Sequence, residues 1–234
     1  MFEKNSENKK EEKKEYVYGK NSYIKDLWYF IWEDNSFWSW IVNIILAFVL
    51  IKFIVYPGLG FLLGTGFPIV AVISGSMDHS LSGNNICGNF PSNYKSNIDG
   101  YWSVCGNWYE ERGITKDEFS LFKLRNGFKK GDIIILYGKD EIKVGDVLVF
   151  WAQNPSVKRD PIIHRVIEIK DGVNGKIYTT KGDHNPGSIQ DSVINELSIT
   201  EDRVIGAALF KVPLLGYIKI IAVSLLNVIF GLFY

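Results

Sequence analysis

Three histidines stand in the chain, His79, His164 and His184, and around them lie Ser74, Ser76, Asp78, Asp183 and Asp191. A serine hydroxyl is a weak nucleophile until a neighbouring base takes its proton. These residue types therefore offer nucleophilic attack by a serine, with a histidine as base and an aspartate to orient it. Ser76 closes the run Val70-Ala71-Val72-Ile73-Ser74-Gly75-Ser76-Met77. A strand that delivers a serine at a glycine turn exposes the hydroxyl and leaves backbone N–H groups free to face a developing oxyanion, although Ser-Gly-Ser is equally an ordinary turn. His164 shares a strand face with Ile162 and Val166, a place that an ordinary core histidine also takes. Asp183, His184 and Asp191 fall in the turn-rich stretch TTKGDHNPGSIQD, where aspartates commonly cap the backbone. No spacing among these side chains calls for a metal, and no cofactor is expected.

The elements that must position them read as mainly β between residues 64 and 211. Short β-branched and aromatic runs bounded by Gly, Pro, Asn and Asp predict strands over 68–74, 132–137, 146–151, 162–169, 176–181 and 204–210, as in a barrel or a pair of packed sheets. Gly131-Asp132 and Gly145-Asp146 each stand ahead of a continuous apolar run, the pattern of a strand buried on both faces. Residues 83–126 break the pattern and read as an aromatic, loop-like insertion. It ends in a capping box, Thr115 with Glu118, ahead of a short helix with Gly127 as its stop. Trp102 and Trp108 are expected on its surface, as a partner-binding patch or packed onto the domain. The only two cysteines, Cys87 and Cys105, lie inside it and are the candidate disulfide, worth about 3 kcal/mol if formed; two free thiols are the alternative.

The chain has 234 residues, with 26 Lys plus Arg against 26 Asp plus Glu. A net charge of zero removes the electrostatic case for nucleic acid, which needs a basic face against phosphates. An aromatic content of 15% is too high for a disordered acidic chain. The apolar residues are concentrated at two places. Residues 37–63 contain one charge, Lys52, and are long enough for an uncleaved transmembrane anchor behind an aromatic belt of Trp28, Trp32, Trp38 and Trp40. Basic residues flank its N-terminal side, which places residues 1–36 in the cytoplasm as a partly disordered tail and the β domain outside it. The apolar stretch 212–234 is a possible second transmembrane helix or an amphipathic one.

Taken in order, the apolar span, PIVAVISGSM, GDIIIL, VGDVLVF, PIIHRV, TKGD with a second Asp soon after, and VPLLGY ahead of the final apolar segment resemble type I signal peptidases. The likeness is to the archaeal and endoplasmic-reticulum branch, which pairs Ser with His where the bacterial branch uses Ser with Lys. The resemblance implies that Ser76 is the nucleophile, His164 the general base, Asp191 the acid that completes a triad and Asp183 a further functional acid. It also implies that Ser74 joins the N–H of Ser76 in an oxyanion hole. The chain differs from the family pattern in Asp78-His79 after the serine box, in the insertion, and in a slightly long Asp183-to-Asp191 loop. The expected activity is membrane-bound removal of signal peptides from exported preproteins, with the bilayer, the translocation machinery and other peptidase subunits as partners. The expected place is a cell membrane, archaeal cytoplasmic by preference and endoplasmic reticulum otherwise. Two other readings remain open: a non-catalytic anchored module that binds a partner through its insertion, and a peptidase for a narrow substrate class.

Overall fold

The structure, a computed structural model, describes residues 19, 22–138, 142–154, 156, 160–218, 221 and 224. Most of the expected tail, and the C-terminal segment beyond 218 apart from 221 and 224, lie outside the described residues. The chain divides into two units, Met1–Val55 and Tyr56–Tyr234.

The first unit contains α1 (Tyr23–Trp32), α2 (Phe37–Leu50) and a π-helical turn, Ile51–Val55. Ser36 caps α2 by accepting the N–H of Ser39 at 3.2 Å. Ser39 and Asn43, polar residues in an apolar helix, donate to the carbonyls of Phe30 at 2.5 Å and Ile31 at 2.8 Å. Those carbonyls belong to the last turn of α1, where main-chain acceptors lack helical partners. The apolar helix continues into the second unit as α3 (Tyr56–Leu63). Phe37–Leu63 is the one helix among the described residues long and apolar enough to cross a membrane, with a hydropathy of 2.2.

The second unit is built on one curled, seven-stranded antiparallel sheet. Its strands are β1 (Ile69–Ala71), β2 (Ile133–Tyr137), β3 (Val147–Phe150), β4 (Ile162–Gly172), β5 (Gly175–Lys181), β6 (Ile199–Thr200) and β7 (Val204–Val212). They lie in the order β1-β2-β7-β3-β4-β5-β6. Single extra residues, Leu209 and Ile205 of β7 opposite β2 and β3, and Ile167 of β4 opposite β5, shift the register and bend the strands that carry them. Strand β3 is buried on both faces: Val147 and Val149 enter one apolar cluster, Leu148 and Phe150 another. Strand β2 departs from the two-faced expectation. Ile134 and Leu136 are buried, whereas Ile133, Ile135 and Tyr137 are only half-buried, because no second layer covers that face so completely.

The two Gly-Asp turns are one device used twice. Gly131 and Gly145 adopt φ of 92° and 94°, and a Cβ on either would run into the ring of Tyr217 or Phe122. The following aspartates accept the N–H three residues back, from Lys129 and Lys143, each at 3.0 Å. Gly64 turns the chain out of α3, and the Gly138 N–H donates to Leu63 O at 2.6 Å. Thr65 Oγ1 donates to Ile205 O at 2.9 Å, so the sequence leading to Ser76 leaves the helix from a point tied to the sheet.

The insertion corrects the loop-like expectation. It holds α4 (Ile98–Glu110), capped by Asn97, and α5 (Lys116–Leu121), capped by the Thr115–Glu118 box. Helix α5 stops before Phe122, ahead of Gly127, which instead closes a turn with Leu124. Trp102 is buried, not exposed, and donates its indole N–H to Glu110 at 3.0 Å. With Ile86, Tyr101, Cys105, Tyr109, Ile114 and Phe119 it forms a separate apolar cluster against Ile167 of β4. Cys87 and Cys105 are joined in a disulfide.

Candidate active site

Strand β1 is the edge of the sheet, and past it the chain turns through Ser74, Gly75 and Ser76. The turn is held from three sides. His184 N–H donates to Ser76 O at 2.8 Å and its Nδ1–H to Asp78 O at 2.9 Å, while Phe128 N–H donates to Met77 O at 3.0 Å. The Met77 side chain beneath is 1% exposed. Above this base the two hydroxyls stand free of the core, with Ser74 Oγ and Ser76 Oγ 3.2 Å apart. The N–H of Ser76 has no hydrogen-bond partner among the described residues.

His164 arrives from the start of β4. Its register partner Leu148 on β3 and its neighbours Ile162 and Val166 bury the ring to 3% exposure. A cavity of about 570 Å³ is lined by Ser74, Ser76 and His164 together, with β1, the start of β4, and Asn185, Ile189 and Ile194. That β1 and β4 wall one cavity across three intervening strands is a consequence of the curl. Gly182 explains how close the groups come. The position a Cβ would take there is 2.8 Å from His164 Nε2, 2.9 Å from Ser76 O and 2.6 Å from Asn185 Nδ2. Only a residue without a side chain lets the three converge.

The acids are distributed otherwise than the resemblance implies. Asp191 is exposed and does not meet His164; its Oδ1 accepts the N–H groups of Val193 at 2.8 Å and Ile194 at 2.6 Å. These bonds hold its carboxyl below the usual range. The acid against His164 Nδ1 is Glu196, fully buried and bonded also to Thr180 Oγ1 at 2.8 Å and Ile189 N–H at 2.6 Å. Nothing in the sequence singled out Glu196; it lies in the unremarkable run INELSIT, and only the path of the loop brings it under the imidazole.

Asp183 is buried and faces Arg165 rather than His164. Arg165 donates Nε–H and Nη2–H to its two oxygens at 2.9 and 2.6 Å, His79 Nε2 lies 2.9 Å from Oδ2, and Tyr109 donates to Oδ1 at 3.2 Å. Burial alone would raise this carboxyl, but the Arg165 charge and the hydrogen bonds from His79 and Arg165 hold it well below the usual range. Arg165 spends its other N–H groups on the carbonyls of Lys123, Leu124 and Gly145. His79 stacks on Tyr101 with centroids 3.8 Å apart, and Tyr101 donates to Asp183 O at 2.8 Å. The aromatic insertion is thereby tied to the loop that touches Ser76. Beside it, burial brings the Lys181 ammonium down to about 8, with Nζ donating to Gly182 O at 3.0 Å and Asp183 O at 3.2 Å. Among the described residues no group of three or more His, Cys, Asp or Glu side chains converges as a metal site.

No protein-family model matches the chain. It is similar to the signal peptidase complex catalytic subunit SEC11 of Lachancea thermotolerans, 37% identical over 98 residues that make up 40% of this chain and 56% of that protein. The SEC11 of Zygosaccharomyces rouxii is 35% identical over 97 residues, 40% of this chain and 56% of the relative. That of Penicillium rubens is 30% identical over 97 residues, 40% and 53% respectively. The chain thus spans a little over half the length of the curated relatives it matches. The expected resemblance to signal peptidases is met by these relatives, each a catalytic subunit of a signal peptidase complex.

Proposed function

We propose that this chain is a membrane-bound serine endopeptidase that cleaves signal peptides from exported preproteins. The observation that carries the reading is that Ser76 and His164 line the same cavity, which also takes in the edge strand β1. Val72 and Pro68 bond to the neighbouring chain of β2, so the main-chain groups of Ile69, Ala71 and Ile73 face the other way. An extended peptide adds there as a strand, with backbone bonds supplying affinity and shallow pockets selecting small side chains such as those of A-x-A.

In the mechanism, His164 Nε2 takes the Ser76 proton as Oγ attacks the scissile carbonyl, and the oxyanion forms beside the Ser76 N–H and the Ser74 hydroxyl. The protonated imidazole then gives its proton to the leaving amine. Water, deprotonated by the same nitrogen, hydrolyses the acyl-enzyme. The apolar helix Phe37–Leu63 serves as the anchor, with residues 64–211 as an extracytoplasmic catalytic domain, other peptidase subunits as partners and signal-peptide-bearing preproteins as substrates. The SEC11 relatives support the endoplasmic-reticulum alternative and lend nothing to the archaeal preference. Tyr101, Trp102, Tyr109 and Phe119 of the insertion pack inward, which weighs against a module that binds partners through those rings, although Phe90 is exposed.

The test is incubation of the purified full chain in liposomes with a preprotein ending its signal in A-x-A, followed by mass spectrometry of the product. A new N-terminus directly after the small residue is expected; an intact precursor beside a folded chain overturns the reading. A second expectation concerns Gly182→Ala. Its methyl would displace the imidazole or the Ser76 main chain, and a misplacement of about 1 Å costs roughly 10²-fold in kcat. A rate within twofold of wild type would show that the convergence at Gly182 does not set the geometry.

A further inference from the structure

We infer that Glu196 is the positioning residue for His164, in the place the family resemblance implies for Asp191. The inference rests on the peptidase reading above and deepens it. His164 presents Nε2 toward Gly182 and the cavity and turns Nδ1 inward, where its N–H donates to Glu196 Oε1. Both carboxylate oxygens are engaged: Oε1 also accepts the Thr180 hydroxyl at 2.8 Å, and Oε2 the Ile189 N–H at 2.6 Å. The main chain of Glu196 is pinned as well, its N–H donating to Ile189 O and its carbonyl accepting from Thr180 N–H, both at 2.9 Å. The carboxylate is therefore fixed in position by the sheet, as a group that must hold a ring in one tautomer has to be.

Its electrostatics argue the same way. Among the described residues, His164 is the only basic side chain in contact with Glu196; the nearby Lys181 feels the Glu196 charge but donates to two carbonyls, and Asp160 lines the same cavity as His164. A buried carboxylate whose one direct ionic partner is an imidazole is compensated best when that imidazole becomes positive, which is the state formed when Ser76 gives up its proton. Asp191 has a different role. With its Oδ1 on two N–H groups and its own N–H on Ile194 O at 2.8 Å, it closes the loop that carries Ile189 and Ile194 into the cavity wall. Changes there act on substrate binding, and the longer side chain of Glu196 reaches the imidazole from the far end of the same loop.

Preprotein cleavage by the full chain in liposomes decides it. Glu196→Gln lowers kcat by roughly 10²- to 10⁴-fold with KM little changed. Glu196→Asp recovers part of the rate, and Asp191→Asn alters KM while keeping kcat within a few fold. Proton NMR of the wild-type chain adds a readout that needs no change at Glu196: a far-downfield imidazole Nδ1–H signal, absent from His164→Ala and retained in Asp191→Asn. Wild-type kcat in Glu196→Gln, or loss of that signal in Asp191→Asn, overturns the assignment. If Ser76→Ala is itself fully active, the failure belongs to the peptidase reading instead.

Discussion

Ser76→Ala and His164→Ala each reduce kcat for preprotein cleavage by roughly 10⁶-fold, and the double variant is no slower than either. The two side chains act as one unit: without the imidazole the hydroxyl keeps its proton, and without the hydroxyl the imidazole has none to take. KM changes little, because the substrate's backbone bonds run along Ile69, Ala71 and Ile73 and most of the cavity wall, from Phe67 to Ile73 and from Pro161 to Ile163, is left as it is. Single-turnover assays in liposomes separate the rate from binding. A serine–lysine mechanism makes the contrary forecast, in which His164 is dispensable and a lysine essential. Among the described lysines, Lys143 is exposed on the Gly-Asp turn. Lys181, though buried, is turned onto the carbonyls of Gly182 and Asp183. Cleavage by His164→Ala within tenfold of wild type would rule out the imidazole as base.

The serine and histidine that line the cavity were legible in the sequence because each sits on or just past a strand with a local signature. Ser76 follows an apolar run that ends at glycine, and His164 alternates with Ile162 and Val166. The sheet was legible for the same reason, since β3 is apolar at every position and the paired Gly-Asp turns need a residue with φ near +90°. Helix α4 was not. Its sequence IDGYWSVCGNWYE contains two glycines and an asparagine, weak helix formers, and the helix is held by the Cys87–Cys105 bond and the packing of Tyr101, Trp102 and Tyr109. Glu196 was invisible for a related reason. A carboxylate that orients an imidazole is defined by what surrounds it, here Thr180 from β5 and Ile189 from the loop, and neither neighbour is close to it in sequence. The eye is drawn to Asp191, whose position after TKGD resembles the family, although its two backbone bonds make it a loop cap.

Asp183→Asn lowers the thermal midpoint of the folded chain by roughly 6–20 °C, from a loss of about 3–5 kcal/mol. The asparagine keeps the shape of the side chain but removes the charge that pairs with Arg165. That guanidinium is fully buried, and its remaining donors go to three uncharged carbonyls. In either orientation the amide nitrogen would also face a donor of Arg165, beside Tyr109 in one and His79 in the other. The effect is conditional on pH, and its sign is fixed by the direction of the Asp183 shift. The carboxyl lies well below its ordinary value in the folded chain and near 3.9 in the unfolded one. Its contribution is therefore complete above about pH 4 and fades as the pH falls below that toward the folded-state value, so the gap between wild type and variant narrows on the acid side. Calorimetry across that range measures it. Because Asp183 bonds to neither Ser76 nor His164, the variant assayed well below its midpoint retains more than about a tenth of the wild-type kcat, against the far larger loss expected when a member of the proton-transfer unit is removed. A midpoint unchanged within 2 °C, or activity lost while the fold is intact, would move Asp183 from the frame of the site into its chemistry.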